Sequence, residues 1–484
     1  VKIVECVPNF SEGRDAGIIE AVTGAISEVE GVTLLDVDPG EGANRTVVTF
    51  VGSPESVEEA AFRAIARASE LIDMSGHEGS HARIGATDVC PFVPVSGITL
   101  EDCVGIARRL GRRVGEELSI PVYLYESAAT SDARRNLADI RAGEYEGLEE
   151  KLRDPRWKPD FGPAAFNPRS GATVIGARRF LIAYNINLNT DRREDARDLA
   201  LSLREKGRFE RDAEGNKVPD GQGGWARVPG ILSSCKAVGW YVPEYGRAQI
   251  SMNLTDHETT NMHHAFEAAE RLARERGLRV TGSEIVGLVP LAAILDSGRH
   301  FLERRGASRG VPTRALIRSA VQSLGLAEIA PFDASEKILE LRIASNGLVT
   351  RSVTAFTDEV SVDSPAPGGG SVAALAGSLC AALVSMVANL TFGKKGHEDR
   401  RERMEEAALR AQDLRQRLLD AVDRDTEAFD RVMDALRMPS GSDEEGSARR
   451  EAIEESTKQA TLVPLEVMEL GTEALELALL VVNE

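Results

Sequence analysis

Positive charge is in short supply in this chain. Its 58 Lys and Arg stand against 77 Asp and Glu, a formal net charge of −19 over 484 residues, with a pI near 5.0. That deficit argues against general binding to a phosphate backbone, so nucleic acid is not expected as a partner, although an acidic protein can still carry a basic pocket for a small anion. Cysteine is scarce too. Cys6, Cys90, Cys103, Cys235 and Cys380 are odd in number and show no CxxC spacing, which excludes a disulfide framework and fits a reducing compartment. The N-terminus lacks the basic-then-apolar order of a signal peptide and looks like a strand, so the chain reads as cytosolic. Charge is missing altogether over 364–393. That run is long enough to cross a bilayer. Ser371, Ser378, Ser385, Asn389 and Thr391 interrupt its apolar character, so it reads as a buried bundle helix, with no membrane expected.

What is present is a change of character near residue 350. At this length two or three domains are expected, each with its own core. The first half alternates β-rich runs with amphipathic helices: strand 1–8, helix 16–29, strands 31–37 and 44–51, helix 56–72 and strand 89–95. That order is βαββαβ, the split-βαβ sandwich. After a Pro- and Gly-rich connection over 158–171, a second series follows: strand 180–188, helix 191–204, strands 231–241 and 247–254, helix 259–275 and strand 278–285. Two α/β subdomains with a groove between them are therefore expected. The charged, Gly-rich segment 205–229 reads as a mobile loop, and the polar stretch after Pro331 as a linker.

Beyond it the pattern is helical. Ala411, Leu414, Leu418, Val422, Phe429, Val432 and Leu436 step by three and four. The step missing from this stripe falls on Asp425, whose carboxylate should point with the stripe toward the bundle interior, where desolvation favours a neutral acid unless a cation pairs with it. Asp423 lies about 200° round the helix and should face water.

Several motifs carry possible chemistry. His77-Glu78-Gly79-Ser80-His81 satisfies HExxH, but zinc binding there needs both histidines on one helix, and Ser75-Gly76, Gly79 and Gly85 favour a loop. With no obvious third ligand, no metal is expected. What remains is a His-rich loop leading into a buried strand, with His81 either catalytic or packed at the strand edge. Asp36-Val37-Asp38 ends a predicted strand, where a carboxylate can orient a histidine, take a proton or simply form a turn. Pro367-Gly368-Gly369-Gly370-Ser371 opens a helix and shows neither GK[ST] nor GxGxxG spacing. Its glycines let backbone amides approach an anionic ligand, and they also permit close helix packing.

Val4-Glu5-Cys6-Val7-Pro8-Asn9-Phe10-Ser11-Glu12-Gly13, Leu35-Asp36-Val37-Asp38, Asn44-Arg45-Thr46, Leu71-Ile72-Asp73-Met74-Ser75, Asp88-Val89-Cys90-Pro91-Phe92, Asp160-Phe161-Gly162-Pro163 and Asn185-Ile186-Asn187 resemble the transferase half of the formimidoyltransferase-cyclodeaminase family. Ala366-Pro367-Gly368-Gly369-Gly370-Ser371-Val372 and Asp425-Thr426-Glu427-Ala428-Phe429 resemble its deaminase half. The resemblance implies an α+β protein: two ferredoxin-like βαββαβ subdomains (1–178 and 179–332), a linker (333–352) and an all-α helical bundle (353–484). It also implies a bifunctional folate enzyme of histidine degradation. The first half would move a formimino group from N-formimino-L-glutamate to tetrahydrofolate, and the second would cyclise the product to 5,10-methenyltetrahydrofolate and release ammonia.

Carried onto matching positions, the catalytic histidine is His81, the cyclodeaminase acid/base is Asp425, and Asp38 matches an active-site carboxylate. Folate contacts fall on Gly162, Pro163, Ala164, Ala165, Phe166, Asn167, Pro168, Arg169, Ser170 and Gly171, and the cyclodeaminase substrate loop on Gly368, Gly369, Gly370 and Ser371. Polyglutamylated tetrahydrofolate as co-substrate and a homo-oligomeric assembly are expected. Arg83, Arg134 and Arg169 are candidate cationic contacts for the substrate carboxylates. The alternatives are a formyl donor, a methenyltetrahydrofolate cyclohydrolase, or a transferase with a purely structural oligomerisation tail. The segment near 220–229 is longer than the family's. Glu484 falls inside an apolar run with no helix-ending signal, so a tail truncated at its C-terminus is expected.

Overall fold

The computed structural model describes all residues except Val1, Ser80, Gln222, Gly223 and 344–346. Contacts divide the chain into two units, one of Val1–Tyr184, Glu194–Trp240 and Ile250–Thr260, the other of Asn185–Arg193, Tyr241–Gln249 and Asn261–Glu484.

The first series runs β1 (Ile3–Cys6), β2 (Asn9–Phe10), α1 (Ala16–Ser27), β3 (Val32–Gly40), β4 (Arg45–Gly52), α2 (Pro54–Leu71) and β5 (Thr87–Ser96). Pro8, which has no N–H to give a neighbouring strand, separates β1 from β2. Both nevertheless pair antiparallel with β4 on one side and β5 on the other, and β3 pairs with β4. The expected six elements are all present, but the sheet does not stop there. α3 (Leu100–Glu117), β6 (Val122–Glu126), the short helices α4 (Leu137–Ile140) and α5 (Leu148–Arg153), and β7 (Thr173–Ala177) follow. β7 pairs parallel with both β5 and β6. The Pro- and Gly-rich connection is thus the return path from β6 to β7. α2 begins sharply, since Ser53 accepts from the Ser56 amide and Pro54 fills the first turn, where an amide has no helical partner in any case.

The second series runs β8 (Ile182–Leu188), α6 (Arg193–Leu203), β9 (Arg208–Phe209), β10 (Arg227–Val228), β11 (Cys235–Val242), β12 (Arg247–Leu254), α7 (Met262–Glu275) and β13 (Val280–Val286). A four-stranded sheet has the order β11-β12-β8-β13. The expected loop over 205–229 is instead a ribbon, with β9 antiparallel to β10 and further bridges Arg211↔Lys217 and Pro219↔Trp225. Gln222 and Gly223 of that segment lie outside the described residues. Gly207 shows why the ribbon's base is tight: at φ +57°, an added Cβ would come within 1.8 Å of the Val228 carbonyl oxygen.

α8 (Leu291–Arg304) and α9 (Thr313–Leu324) follow. The stretch expected to be a linker holds α10 (Ala334–Lys337) and α11 (Leu339–Ile343), with Ile338 and Leu339 buried. Ile338 bridges Val289. Two apolar side chains in a polar stretch were enough to anchor it. Residues 344–346 of that stretch lie outside the described residues.

After α12 (Val353–Val360) come the long helices α13 (Gly369–Phe392), α14 (Arg401–Arg437) and α15 (Asp443–Asn483). α13 is long and apolar enough to cross a membrane by length and composition. It is not buried all round: Ser371, Ala374, Ser378, Ala381, Val384, Ser385 and Ala388 face the bundle, while Leu379, Leu383, Met386 and Leu390 are exposed. Along α14, Ala411, Leu414, Leu418 and Val422 are buried as the stripe requires, but Phe429 and Val432 are half-buried and Leu436 is exposed. The buried line follows heptads instead, through Ala407, Leu414, Ala421, Ala428 and Ala435. A repeat of 3.5 rather than 3.6 residues keeps one seam against its neighbours over a helix this long.

Candidate functional sites

His81 follows a 3₁₀ turn, Met74–Gly76, in irregular chain leading to β5, so the two histidines of the HExxH pattern do not share a helix. Ser80 of that pattern lies outside the described residues. The ring of His77 is held on both sides: its Nδ1 accepts from Arg83 Nε at 3.2 Å, and its Nε2 donates to the Asn44 carbonyl at 2.9 Å. His81 Nδ1 lies 2.8 Å from the Ala82 carbonyl, and both ring nitrogens approach Arg45 Nη1. A guanidinium can only donate, so one tautomer satisfies all partners: Nδ1–H donates to Ala82, and Nε2 carries the lone pair that meets Arg45. Burial, then the charge of Arg45, holds the His81 pKa below its ordinary value, which favours the neutral ring a base requires. Arg45 itself is lowered to about 10 by burial, with Asp88 opposing the shift. Asp88 is fully buried and pairs with Arg141, while accepting from the Ile84 amide at 3.1 Å.

Asp38, read as able to orient a histidine, take a proton or form a turn, lies exposed on β3, opposite Val47, and the Ala82 carbonyl faces His81 Nδ1. Arg45, Asp88 and Arg141 were not singled out as functional. The signal available was that Arg45 opens a strand whose neighbours are apolar, a poor place for a guanidinium without a purpose.

The expected folate segment is joined to the histidine loop. Gly85 and Gly171 bridge, the Ala86 amide donates to Ser170 O at 2.9 Å, and the Ala172 amide to Ile84 O at 2.9 Å. A Cβ on Gly85 would stand 2.1 Å from the Ala172 carbonyl oxygen, so only glycine permits the crossing. Gly162, Pro163, Ala164 and Ala165 are exposed, and Phe166 packs on the Tyr145 ring at 5.4 Å. Asn167 accepts from the amides of Arg169 and Ser170, and Tyr145 donates to the Pro168 carbonyl.

The three candidate arginines all have protein partners. Arg83 meets Glu146 at 2.6 Å and Glu144 at 3.1 Å, Arg134 meets Asp160 at 2.7 Å, and Arg169 donates to the carbonyls of Ser69 and Glu70. Arg83, Glu144 and Glu146, with His77, Glu78, Gly79 and Gly143, line an open cavity of about 470 Å³.

In the helical tail, Asp425 continues the heptad line Met404, Ala411, Leu418, so its carboxylate sits on the packing seam. It is half-buried rather than buried. Ser371 Oγ is 3.1 Å from Asp425 Oδ2, 2.9 Å from the Val422 carbonyl and 3.3 Å from Thr426 Oγ1. The Ser371 hydroxyl is thus shared between two acceptors, the Val422 carbonyl and Asp425 Oδ2.

The glycines divide their work. A Cβ on Gly369 would meet nothing within 4 Å and one on Gly368 only the Pro365 carbonyl oxygen at 3.8 Å, whereas a Cβ on Gly370 would lie 2.1 Å from Asp425 Oδ1. The third glycine is the one that lets Asp425 approach. Gly370→Ala should therefore push Asp425 off Ser371 and loosen the start of α13, which hydrogen exchange at the α13 amides would read as faster exchange than in the unaltered chain. Asp423 does not face water as expected. Its Oδ1 accepts from the Leu348 amide at 2.6 Å.

Residues 3–178 match the family described as "Formiminotransferase domain, N-terminal subdomain", 183–344 "Formiminotransferase domain", and 352–484 "Formiminotransferase-cyclodeaminase". A mouse protein named formimidoyltransferase-cyclodeaminase is 45% identical over 472 residues, which is 97% of this chain and 84% of that protein. A Streptococcus pyogenes glutamate formimidoyltransferase is 41% identical over 62% of this chain and 94% of its own length. A solved formiminotetrahydrofolate cyclodeaminase from Thermotoga maritima is 35% identical, covering 25% of this chain and 56% of that one, with a TM-score of 0.22.

Proposed function

The chain belongs to the formimidoyltransferase-cyclodeaminase family, and from that premise we propose that His81 serves its first reaction and Asp425 its second. The protein is a bifunctional folate enzyme. It transfers the formimino group from N-formimino-L-glutamate to tetrahydrofolate and converts 5-formiminotetrahydrofolate to 5,10-methenyltetrahydrofolate and ammonia. The observation that carries this is the similarity to the mouse protein, which runs through both halves of the chain.

In the transfer, N5 of the folate attacks the amidine carbon and forms a tetrahedral intermediate. His81 Nε2, once the folate takes the place of Arg45 at its lone pair, accepts the N5 proton and returns it to the departing glutamate nitrogen. Arg45 keeps the imidazole neutral beforehand and discourages it from retaining the proton afterwards. The exposed segment Gly162, Pro163, Ala164 and Ala165, tied through Gly171 to the histidine loop, is the folate contact. Asp38 is assigned to the same active site.

In the cyclisation, N10 attacks the carbon of the protonated formimino group, the Asp425 carboxylate takes the N10 proton, and Asp425 then gives it to the nitrogen that leaves as ammonia. The Ser371 hydroxyl holds the acid in place, and the loop of Gly368 and Gly369 receives the substrate. Neither step as written calls on a metal.

The same reading takes the co-substrate as polyglutamylated, the location as cytoplasmic and the assembly as a homo-oligomer. The exposed leucines of α13, with Leu475 and Leu479 on α15, support the last, since a face of that kind is rarely left to water. We divide the chain as 1–178, 179–332, 333–352 and 353–484. Each of the first two parts is read as ferredoxin-like, from a strand order that places the first strand between the third and fourth.

The test is a time course of methenyltetrahydrofolate absorbance and ammonia release with formiminoglutamate and tetrahydrofolate. Both products are expected. Formate in place of ammonia would indicate the formyl or cyclohydrolase chemistry, and glutamate without ammonia a structural tail.

A further inference from the structure

Arg45 is a cation without an anion. Arg83 is held by Glu144 and Glu146, Arg134 by Asp160 and Arg141 by Asp88. Arg45 forms no ion pair among the described residues: its guanidinium reaches the His81 ring through Nη1, and its Nε–H is buried without a partner. Asp88, whose charge Arg45 feels, is already taken. Its Oδ1 accepts from the Ile84 amide at 3.1 Å and from Arg141 Nε at 3.3 Å, and its Oδ2 pairs with Arg141 Nη2. A desolvated charge with no counter-charge is costly, and a group kept in that state beside a working base is a candidate for completion by a ligand. Arg45 and His81 are both half-buried, so neither is sealed from solvent. The contact also closes the base, because the Nε2 lone pair that must accept a proton is the one that meets Arg45. A carboxylate is a stronger acceptor for a guanidinium than a neutral ring, since it carries the opposite charge and takes two N–H groups at once. An incoming carboxylate therefore draws Arg45 off the imidazole.

We propose that Arg45 receives the α-carboxylate of N-formimino-L-glutamate and, in doing so, uncaps His81. The inference rests on the assignment of His81 to the transfer and adds to it the residue that selects the donor. In this donor the α-carboxylate hangs from the carbon bonded to the leaving nitrogen, whereas the side-chain carboxylate is two carbons further on. A guanidinium touching the ring that serves that nitrogen therefore meets the α-carboxylate. A formimino compound without a charge at that position leaves Arg45 on the ring and the base closed, so binding of the right donor and release of the lone pair are one event.

The test is the release of the free amino product by the full chain, with tetrahydrofolate and three donors: N-formimino-L-glutamate, its α-amide and its γ-amide. In the unaltered chain, kcat/KM for the α-amide should fall about 10- to 100-fold below that of formiminoglutamate, the worth of a charge-assisted pair. In Arg45→Gln, formiminoglutamate should lose that factor while the α-amide fares no worse, so the ratio of the two approaches one and the ratio of formiminoglutamate to the γ-amide stays as it was. Arg45→Lys keeps the charge but loses the paired N–H groups, and its preference for the α-carboxylate should shrink severalfold. Each ratio compares two donors on one preparation, so the amount of folded protein cancels. A purely structural Arg45 would lower all donors by one factor and leave the ratios in place. Equal turnover of formiminoglutamate and its α-amide by the unaltered chain overturns the assignment. So does a preference undiminished in Arg45→Gln, or in Arg45→Lys should the first variant be inactive on every donor. In those cases formiminoglutamate is still turned over and the transferase reading stands. If the unaltered chain releases no amino product from any donor, that reading falls and the role of Arg45 with it.

Discussion

His81→Asn cuts glutamate release from formiminoglutamate about 10²- to 10⁴-fold, the usual contribution of a positioned acid/base, and leaves conversion of added 5-formiminotetrahydrofolate to its methenyl product unchanged. Steady-state assays of the two half-reactions on one preparation read both numbers. Loss in both assays would mean that the substitution unfolds the protein. The pH profile sharpens the expectation. The neutral ring is the working form, and its pKa is held below the ordinary histidine value by burial and then by Arg45. kcat/KM is therefore at its plateau at neutral pH and falls on acidification, through a pKa under 6.5. Arg45→Gln removes the charge that opposes the imidazolium, so the acid limb should move upward toward 6.5. A limb that stays in place in that variant would remove Arg45 from the account.

Asp425→Asn produces the second large effect: ammonia release falls by about 10²- to 10⁴-fold, while glutamate release keeps its rate and 5-formiminotetrahydrofolate accumulates. Asparagine is close in volume and its amide oxygen can still accept from Ser371 Oγ, so the helix seam and the turn at Gly370 should be retained. What it cannot do is release a proton to a leaving nitrogen. If the variant makes methenyltetrahydrofolate at the original rate, the tail is structural and its acid lies elsewhere.

Much of this arrangement was legible in the sequence where a periodic pattern met a residue that broke it. The strands and helices of both αβ series followed from their alternation of apolar and polar positions. Asp425 stood out because it occupied an apolar step. The heptad drift beyond Val422 was not visible, because Phe429 and Val432 are apolar and the small Ala428 and Ala435, which are the residues buried, carry little hydrophobic signal. Asp423 was misplaced for a related reason: its partner, the Leu348 amide, is 75 residues away in sequence, and helical geometry alone cannot report it. β6 and β7 escaped because a parallel pair is joined by a long return and has no hairpin turn to mark it. The ribbon over 205–229 is held by backbone pairing that Gly-rich, charged composition conceals. At the histidine, the irregular loop could be read from the glycines that flank His81. Its control by Arg45 could not, because that depends on two strands meeting.

With Asp425 as the proposed acid, its seam position sets stability and activity against each other. Met404, Ala411 and Leu418 show what bundle packing selects at that register, and the next member of the series is a carboxylate admitted by a missing Cβ on Gly370. Any drift toward an aliphatic at 425, with a larger residue at 370 to meet it, would tighten the helices and abolish the chemistry. Variants chosen only for resistance to heat would thus be drawn toward a more durable and inert tail, and the persistence of the acid would have to be enforced by the need for the reaction itself.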